Sequence, residues 1–443
     1  MRLSETRPNL LVSLMRKTSA KQTFFSTATR SASALRVVMV DEELPYPPTS
    51  GKRIRTLNLT LRLARRHRLT YVCHRNADAE EARQAADFFA ENGIETIVVD
   101  RAVPTKSGPR FYLRLAANLL SPLPYSVATH NSRALRQALA ELARKQRVDV
   151  WHCEWTPYAE MLGGIAAERR VVMAHNVESV IWQRYYETEN NPLSRWYIGR
   201  QWRKFQRFER RVLGAVERTV AVSDTDAQRF RTDFGVSRVD VVENGVDTEY
   251  FQPQARRREP GHLLFLGSLD WRPNLDGVSL LLERVFPAVR AAEPSATLCL
   301  VGRNPPGSLR QQVLRTSGAE LHGSVPDVRP YLADCGLLVV PLRIGGGSRL
   351  KILEALASGT PVVSTRVGAE GLCLEAGQDL TVVEDIDDLA GALIQAIRHP
   401  EAIQAEAERG REKVLEHYDW DQLAERLERV WQQCAAESRP LAA

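Results

Sequence analysis

From position 35 onward, short runs of apolar and β-branched residues alternate with stretches in which apolar positions recur every three or four residues. The runs predict strands over 35–41, 69–73, 96–100, 148–152, 171–174 and 218–223. The helical spacing predicts helices over 54–66 and over 80–92, the second closed by Gly93. A second series predicts strands over 262–267, 297–302, 337–341, 361–365 and 380–384, again with helices between. The stretch 243–260 separates the series; Asn244-Gly245, two prolines and three consecutive arginines make it turn-rich. Strands parted by helices imply parallel sheets. The expectation is α/β: two doubly wound, Rossmann-like domains facing each other across a cleft, over 35–245 and 246–417, with a helix over 418–436 returning towards the first.

Composition narrows this only slightly. The 443 residues are 44% hydrophobic and 26% charged, which suits sizeable cores and excludes fibrous or wholly disordered chains. No apolar run approaches the roughly 18 residues of a membrane-spanning helix. The net charge of +6 is uneven. Residues 1–34 carry six basic groups against one acidic, and 184–218 carry nine against four, so the remainder is net acidic. Basicity is therefore local, and nucleic acid is not an expected partner. The first 34 residues are Arg- and Ser-rich without an apolar core segment; a disordered basic tail is expected there rather than a transit peptide. Six widely spaced cysteines without a C-x-x-C pair read as buried thiols in a reduced cytosol, with no zinc site.

Three segments carry candidate chemistry. In open parallel sheets ligands bind beyond the carboxyl ends of strands. The loop Pro45 to Arg53 follows the first strand, and Gly51 near the next helix start allows an anion to approach the backbone. His175 emerges from the end of the 171–174 strand, on the same ligand side. The strongest segment runs from Gly345 to Val363. Gly345, Gly346 and Gly347 precede Ser348, a candidate helix cap, and Arg349 and Lys351 place two cations where a helix dipole favours acids. A bound di-anion explains that basic pair, and Glu354 lies within reach of a sugar hydroxyl beyond it. The plain alternatives are a turn, a satisfied loop histidine and a flexible glycine loop.

The last segment, with its alanine-rich turn and Gly359-Thr360-Pro361-Val362-Val363, resembles the glycosyl transferases group 1, the family-four retaining glycosyltransferases of the GT-B fold. Weaker resemblances occur in the right order: His175-Asn176-Val177-Glu178, Val241 to Asp247, Phe265-Leu266-Gly267, Leu300-Val301-Gly302, Gly323-Ser324-Val325 and Trp420. The resemblance implies transfer of a sugar from a nucleotide diphosphate sugar to an acceptor hydroxyl, without metal or cofactor and with retained configuration. It implies that Glu354 binds the ribose and that Gly347, Ser348, Arg349 and Leu350 surround the diphosphate, with Gly346 beside them. His175 would attend the donor sugar, Gly51 would close over the phosphates, and Gly323 and Val325 would lie on the nucleobase side. This chain departs from the pattern in two places. Gly346 stands where the family carries its first Glu, and Ser268 and Pro273 stand where a basic pair is usual; Arg272, Arg349 and Lys351 are the substitutes. The other readings are a nucleotide-sugar epimerase of the same fold and a non-catalytic nucleotide-sugar-binding protein.

Between 184 and 218, aromatic and basic residues interleave. Trp202, Phe205, Phe208 and Val212 fall on one helical face, with Arg203, Lys204, Arg207 and Arg211 elsewhere. One reading is a core face with a solvated basic side. The other is docking on an anionic membrane surface, bringing a lipid-linked acceptor to a cytoplasmic, peripheral enzyme on the inner face of the membrane; Arg110, Phe111, Tyr112 and Arg114 could join that surface.

Overall fold

The computed structural model describes residues 34–100, 104, 108–164, 169–256, 258–344 and 349–437. The tail expected over 1–34 (apart from Ala34) and the candidate residues Gly346, Gly347 and Ser348 lie outside the described residues. The chain divides into two compact units, whose described parts are 34–244 with 420–437, and 245–344 with 349–419.

The first unit holds a seven-stranded sheet ordered β3-β2-β1-β4-β5-β6-β7. Its strands are β1 (Arg36–Asp41), β2 (Arg68–His74), β3 (Glu95–Val99), β4 (Val150–Cys153), β5 (Arg170–Ala174), β6 (Arg218–Ala221) and β7 (Val239–Val241). Every pairing is parallel. Val37 to Val40 of β1 are all buried, as continuous apolar strands covered on both faces must be. The helix Gly51–Ala64 starts on the side chain of Ser50, which accepts from the amide of Arg53 at 3.3 Å. Its fully buried Arg55 donates to the carbonyl of Val242 at 2.7 Å and to that of Glu243, tying the helix to the exit of β7. Burial pulls that guanidinium down to about 10, with Glu154 and Glu243 opposing.

The last helix, Trp420–Ala436, belongs to this first unit, packing on the helix Gly51–Ala64 and on β4 and β5. Trp420, Leu423, Leu427 and Trp431 are buried along one face. Asp421 meets Arg62 at 2.7 Å and Glu428 meets Arg66 at 2.6 Å along its polar margin.

The second unit holds six parallel strands ordered β10-β9-β8-β11-β12-β13. They are β8 (Glu259–Leu266), β9 (Thr297–Gly302), β10 (Ala319–Gly323), β11 (Cys335–Val340), β12 (Val362–Thr365) and β13 (Thr381–Val383). One core lies on each face: Leu264, Leu266, Leu338 and Val340 on one, Leu263, Phe265, Leu337 and Val339 on the other. In both sheets the direction of strand addition reverses once, between β1 and β4 and between β8 and β11. Those reversals open crevices at the carboxyl ends, where side chains and ligands can enter.

Two strands were not foreseen from the sequence, β7 and β10, and both lie at sheet edges. The six cysteines are free, and all but Cys373 are buried. No helix among the described residues is long and apolar enough to cross a membrane.

Candidate active site

In the second unit the reversal point gathers Gly267, Asn274, Lys351 and Glu354. The helix Leu350–Ala357 begins after Arg349, so Arg349 holds the cap position, with no side-chain cap bond, where Ser348 had been expected. Lys351 reaches back over the end of β8: its Nζ is 3.2 Å from Oδ1 of Asn274 and 4.4 Å from the Phe265 ring centre. Gly267 makes this possible, since a Cβ there would come within 2.8 Å of Asn274 and 2.9 Å of the Lys351 ammonium. Burial, reinforced by the nearby Arg349 guanidinium, pushes Lys351 down to about 7. Glu354, three residues on along the same helix, is pushed by burial up to about 7, with Lys351 opposing. Each group therefore changes its charge close to neutral pH, far from the ordinary range of its side chain. Arg349 is 4% exposed; it donates to the carbonyl of Val367 at 2.8 Å and lies 3.7 Å from Glu370, so its charge acts from within the unit.

The other residues expected in this unit occupy separate positions. Arg272 is exposed at the first turn of the helix Arg272–Leu280. Gly323 ends β10 and is exposed, while Val325 is partly buried against the core. Leu350 is buried.

In the first unit, His175 follows β5 and is 8% exposed. Beneath it lies a residue the sequence reading missed, Glu154, immediately after β4 and 1% exposed. Its carboxylate accepts from Nε2 of His152 at 2.7 Å and from the Thr56 hydroxyl at 2.8 Å. Nε2 of His175 stands 3.4 Å from Oε1, the oxygen that Thr56 also meets, while His152 meets Oε2. Burial disfavours the charge, yet the two histidines hold this carboxyl well below the usual carboxylate range. His152 is fixed in turn, because the indole N–H of Trp431 donates to its Nδ1 at 3.0 Å. Gly51 opens its helix nearby in sequence, and the next residue, Lys52, bridges to Asp41 of β1 at 2.5 Å. The Lys52 ammonium also lies 5.1 Å above the Trp155 ring, whose N–H donates to Glu178 at 2.8 Å. The loop carrying His175 ends at the helix Glu178–Thr188, and that helix is capped by a distant carboxylate. Buried Glu209 accepts the amides of Glu178 and Ser179 at 2.7 and 3.0 Å. Burial pushes Glu209 up to about 8.

The basic aromatic stretch forms the end of that helix, a break, and the helix Pro192–Leu213. Asn191 caps the second, accepting from the amides of Leu193 and Ser194 at 3.0 and 3.1 Å. Phe205, Phe208 and Val212 are core residues. Lys204 is also buried, donating to the carbonyl of Asn118 at 2.6 Å, which corrects its expected place on a solvated face. Exposed apolar residues remain at the other end, Leu193 and Trp196, with Tyr112 and Leu113 on the helix Pro109–Asn118. A cavity of about 320 Å³ beside this helix is lined by Ser179, Gln183, Trp202, Arg203, Arg207 and Arg210, among others. Among the described residues, His262, Cys299 and Glu320 form the group whose spacing could hold a metal ion, their ligand atoms within 4.8 Å of one another. They lie on β8, β9 and β10, well before the carboxyl ends where the candidate site is found.

Residues 260–399 match the family described as glycosyl transferases group 1, and residues 49–250 match glycosyltransferase family 4. The chain belongs to the group 1, family 4 glycosyltransferases. Among its relatives is a protein named MMP alpha-(1->4)-mannosyltransferase from Mycolicibacterium hassiacum, 29% identical over 55% of this chain and 61% of that protein. The chain thus spans less than two thirds of that relative's length. A second is a GDP-mannose-dependent monoacylated alpha-(1-6)-phosphatidylinositol monomannoside mannosyltransferase from Corynebacterium glutamicum, 25% identical over 78% of this chain and 92% of that one. Among solved structures, Anabaena HepE in complex with UDP and glucose superposes with a TM-score of 0.63 at 13% identity, over 90% of this chain and all of that one. This likeness identifies the fold as GT-B. The span matched by the group 1 family includes the helix Leu350–Ala357, which carries Lys351 and Glu354.

Proposed function

We propose that the protein transfers a sugar from a nucleotide diphosphate sugar to a hydroxyl of a glycan or lipid-linked acceptor, retaining the anomeric configuration, in polysaccharide or cell-envelope glycan synthesis. The observation that carries this reading is the placing of Lys351 against Asn274 and Gly267, with Glu354 on the same helix, at the β8/β11 reversal of a unit matching the group 1 family. A nucleoside diphosphate leaving the sugar gathers negative charge, and fixed positive groups aimed at it lower the barrier. Lys351 supplies that charge once a diphosphate draws a proton onto it, and the first amides of the helix Leu350–Ala357 add their dipoles. Glu354 accepts hydrogen bonds from the ribose. His175 orients the donor sugar and supports positive charge at the anomeric carbon, while the leaving phosphate oxygen takes the acceptor's proton. The reading assigns no cofactor, because cations and amides neutralise the diphosphate. The family match supports transfer over the epimerase and the non-catalytic readings.

The Corynebacterium relative's name puts GDP-mannose first among donors to be tried, and a HepE complex with UDP-glucose puts that sugar nucleotide second. With the accepted donor, Glu354→Ala is expected to weaken nucleotide binding about tenfold or more, the scale of a charge-assisted hydrogen bond. His175→Ala is expected to depress kcat more than donor affinity. Wild-type activity in both variants would refute the assignment.

The acceptor side suits a lipid-linked substrate. Leu193, Trp196, Tyr112 and Leu113 are exposed on two helices joined through Asn118, Gln201 and Lys204, and the Arg200 guanidinium lies 5.8 Å from the Trp196 ring centre. We place a peripheral contact with anionic membrane there. Flotation is expected to recover the protein with vesicles containing phosphatidylglycerol and not with neutral ones, and Trp196→Glu should abolish recovery. Equal recovery with both vesicle types excludes the electrostatic part.

A further inference from the structure

We propose that Glu154 is a positioning residue for His175, part of a buried chain that runs Trp431–His152–Glu154–His175 through the first unit. The inference rests on the assignment of His175 to the donor sugar and names what holds that imidazole.

Four separate elements converge on one carboxylate: Thr56 from the helix Gly51–Ala64, His152 from β4, His175 from the end of β5, and Trp431 acting through His152 from the last helix. A carboxylate only 1% exposed carries a heavy desolvation cost unless its lone pairs are satisfied. Two firm hydrogen bonds, from His152 and Thr56, meet part of that demand. The Trp431 indole can only donate, so Nδ1 of His152 is the acceptor and Nε2–H is the donor to Glu154. His152 holds Oε2, and Oε1, which also accepts from Thr56, faces Nε2 of His175 at 3.4 Å. That separation closes to a hydrogen bond with a small ring rotation, as unliganded sites often require. Carboxylate and imidazole then share Nε2–H, which fixes the tautomer and leaves Nδ1 as the ring nitrogen available to a substrate. Negative charge behind the ring also favours any positive charge the ring shares with the anomeric centre. The other charged groups facing Glu154 are Arg55 and Lys52, from the helix Gly51–Ala64. Both are committed elsewhere: Arg55 to backbone carbonyls and Lys52 to Asp41.

A double-mutant cycle on the full chain separates positioning from plain stability. Glu154→Gln is expected to lower kcat by about tenfold to a hundredfold, the usual cost of a misplaced catalytic group. Donor affinity, measured by calorimetry without acceptor, should stay within about twofold of wild type, and Glu154→Asp should recover part of the rate. In the His175→Ala background, Glu154→Gln should cost almost nothing further. An equal loss in both backgrounds shows a purely structural role and overturns the proposal, as does a fully active Glu154→Gln. If His175→Ala alone is fully active, the assignment of His175 fails, and the inference falls with it. Should Glu154→Gln not fold, Trp431→Phe removes only the indole donor. A roughly threefold to tenfold loss of kcat that vanishes in the His175→Ala background supports the chain, and a loss that persists there overturns it.

Discussion

Lys351→Met is expected to lower donor affinity by roughly ten- to a hundredfold and to change how that affinity depends on pH. The magnitude follows from losing a hydrogen bond to a charged group, about 1.5–3 kcal/mol, with about 1.4 kcal/mol per factor of ten. The pH dependence follows from the pair's positions near neutrality. A diphosphate needs Lys351 protonated, a form that becomes scarce above its value of about 7. A ribose needs Glu354 ionised, a form that becomes scarce below its own value of about 7. Wild-type affinity should therefore pass through a maximum near neutral pH and fall on both sides. Lys351→Met should abolish the alkaline fall and keep the acid one, and Glu354→Gln should do the reverse. Calorimetry with an intact nucleotide sugar is the proper measurement, because its diphosphate diester keeps its charge over the range. A flat wild-type profile would show that neither group meets the nucleotide.

The largest effect on stability is expected at Trp431, far along the sequence from the site it supports. Trp431→Ala removes a fully buried indole from the contact of the last helix with β4 and β5. Large-to-small changes of this kind cost about 3–5 kcal/mol, and the lost donor also leaves Nδ1 of His152 unpaired in the core. Denaturant unfolding should show the transition of the first unit moving to markedly lower concentration while that of the second stays in place. Trp431→Phe, which keeps most of the volume, should cost much less. An unchanged first transition in Trp431→Ala would mean that the last helix contributes little to that unit.

The central strands were legible because a parallel sheet covered on both faces needs unbroken apolar runs, and Val37 to Val40 and Cys335 to Val340 are such runs. β7 and β10 were missed for the complementary reason. As edges they need less cover, and Val-Asp-Val and Ala-Glu-Leu-His-Gly carry too little apolar signal to stand out. His175 and Glu354 stood out as candidates because local chemistry and family pattern fall on the same residues. Glu154 did not. In Trp151-His152-Cys153-Glu154-Trp155 the polar positions look like ordinary alternation, and the partner that fixes His152 stands 279 positions away. Lys351 was read as a cation, and only the fold reveals how strongly its surroundings oppose that charge. Lys204 misled in the opposite sense, since helical spacing places a residue on a face without saying what covers that face.

The return of the helix Trp420–Ala436 to the first unit has a consequence for biosynthesis. A ribosome emits the chain from its amino end, so of these two units the one begun first is finished second: β4 and β5 wait for Trp431 until the second unit has been made. The second unit has its entire sheet available earlier. Nascent chains stalled before codon 420 should therefore expose an unfinished amino-terminal half to chaperones and proteases beside a carboxyl-terminal half able to close on its own.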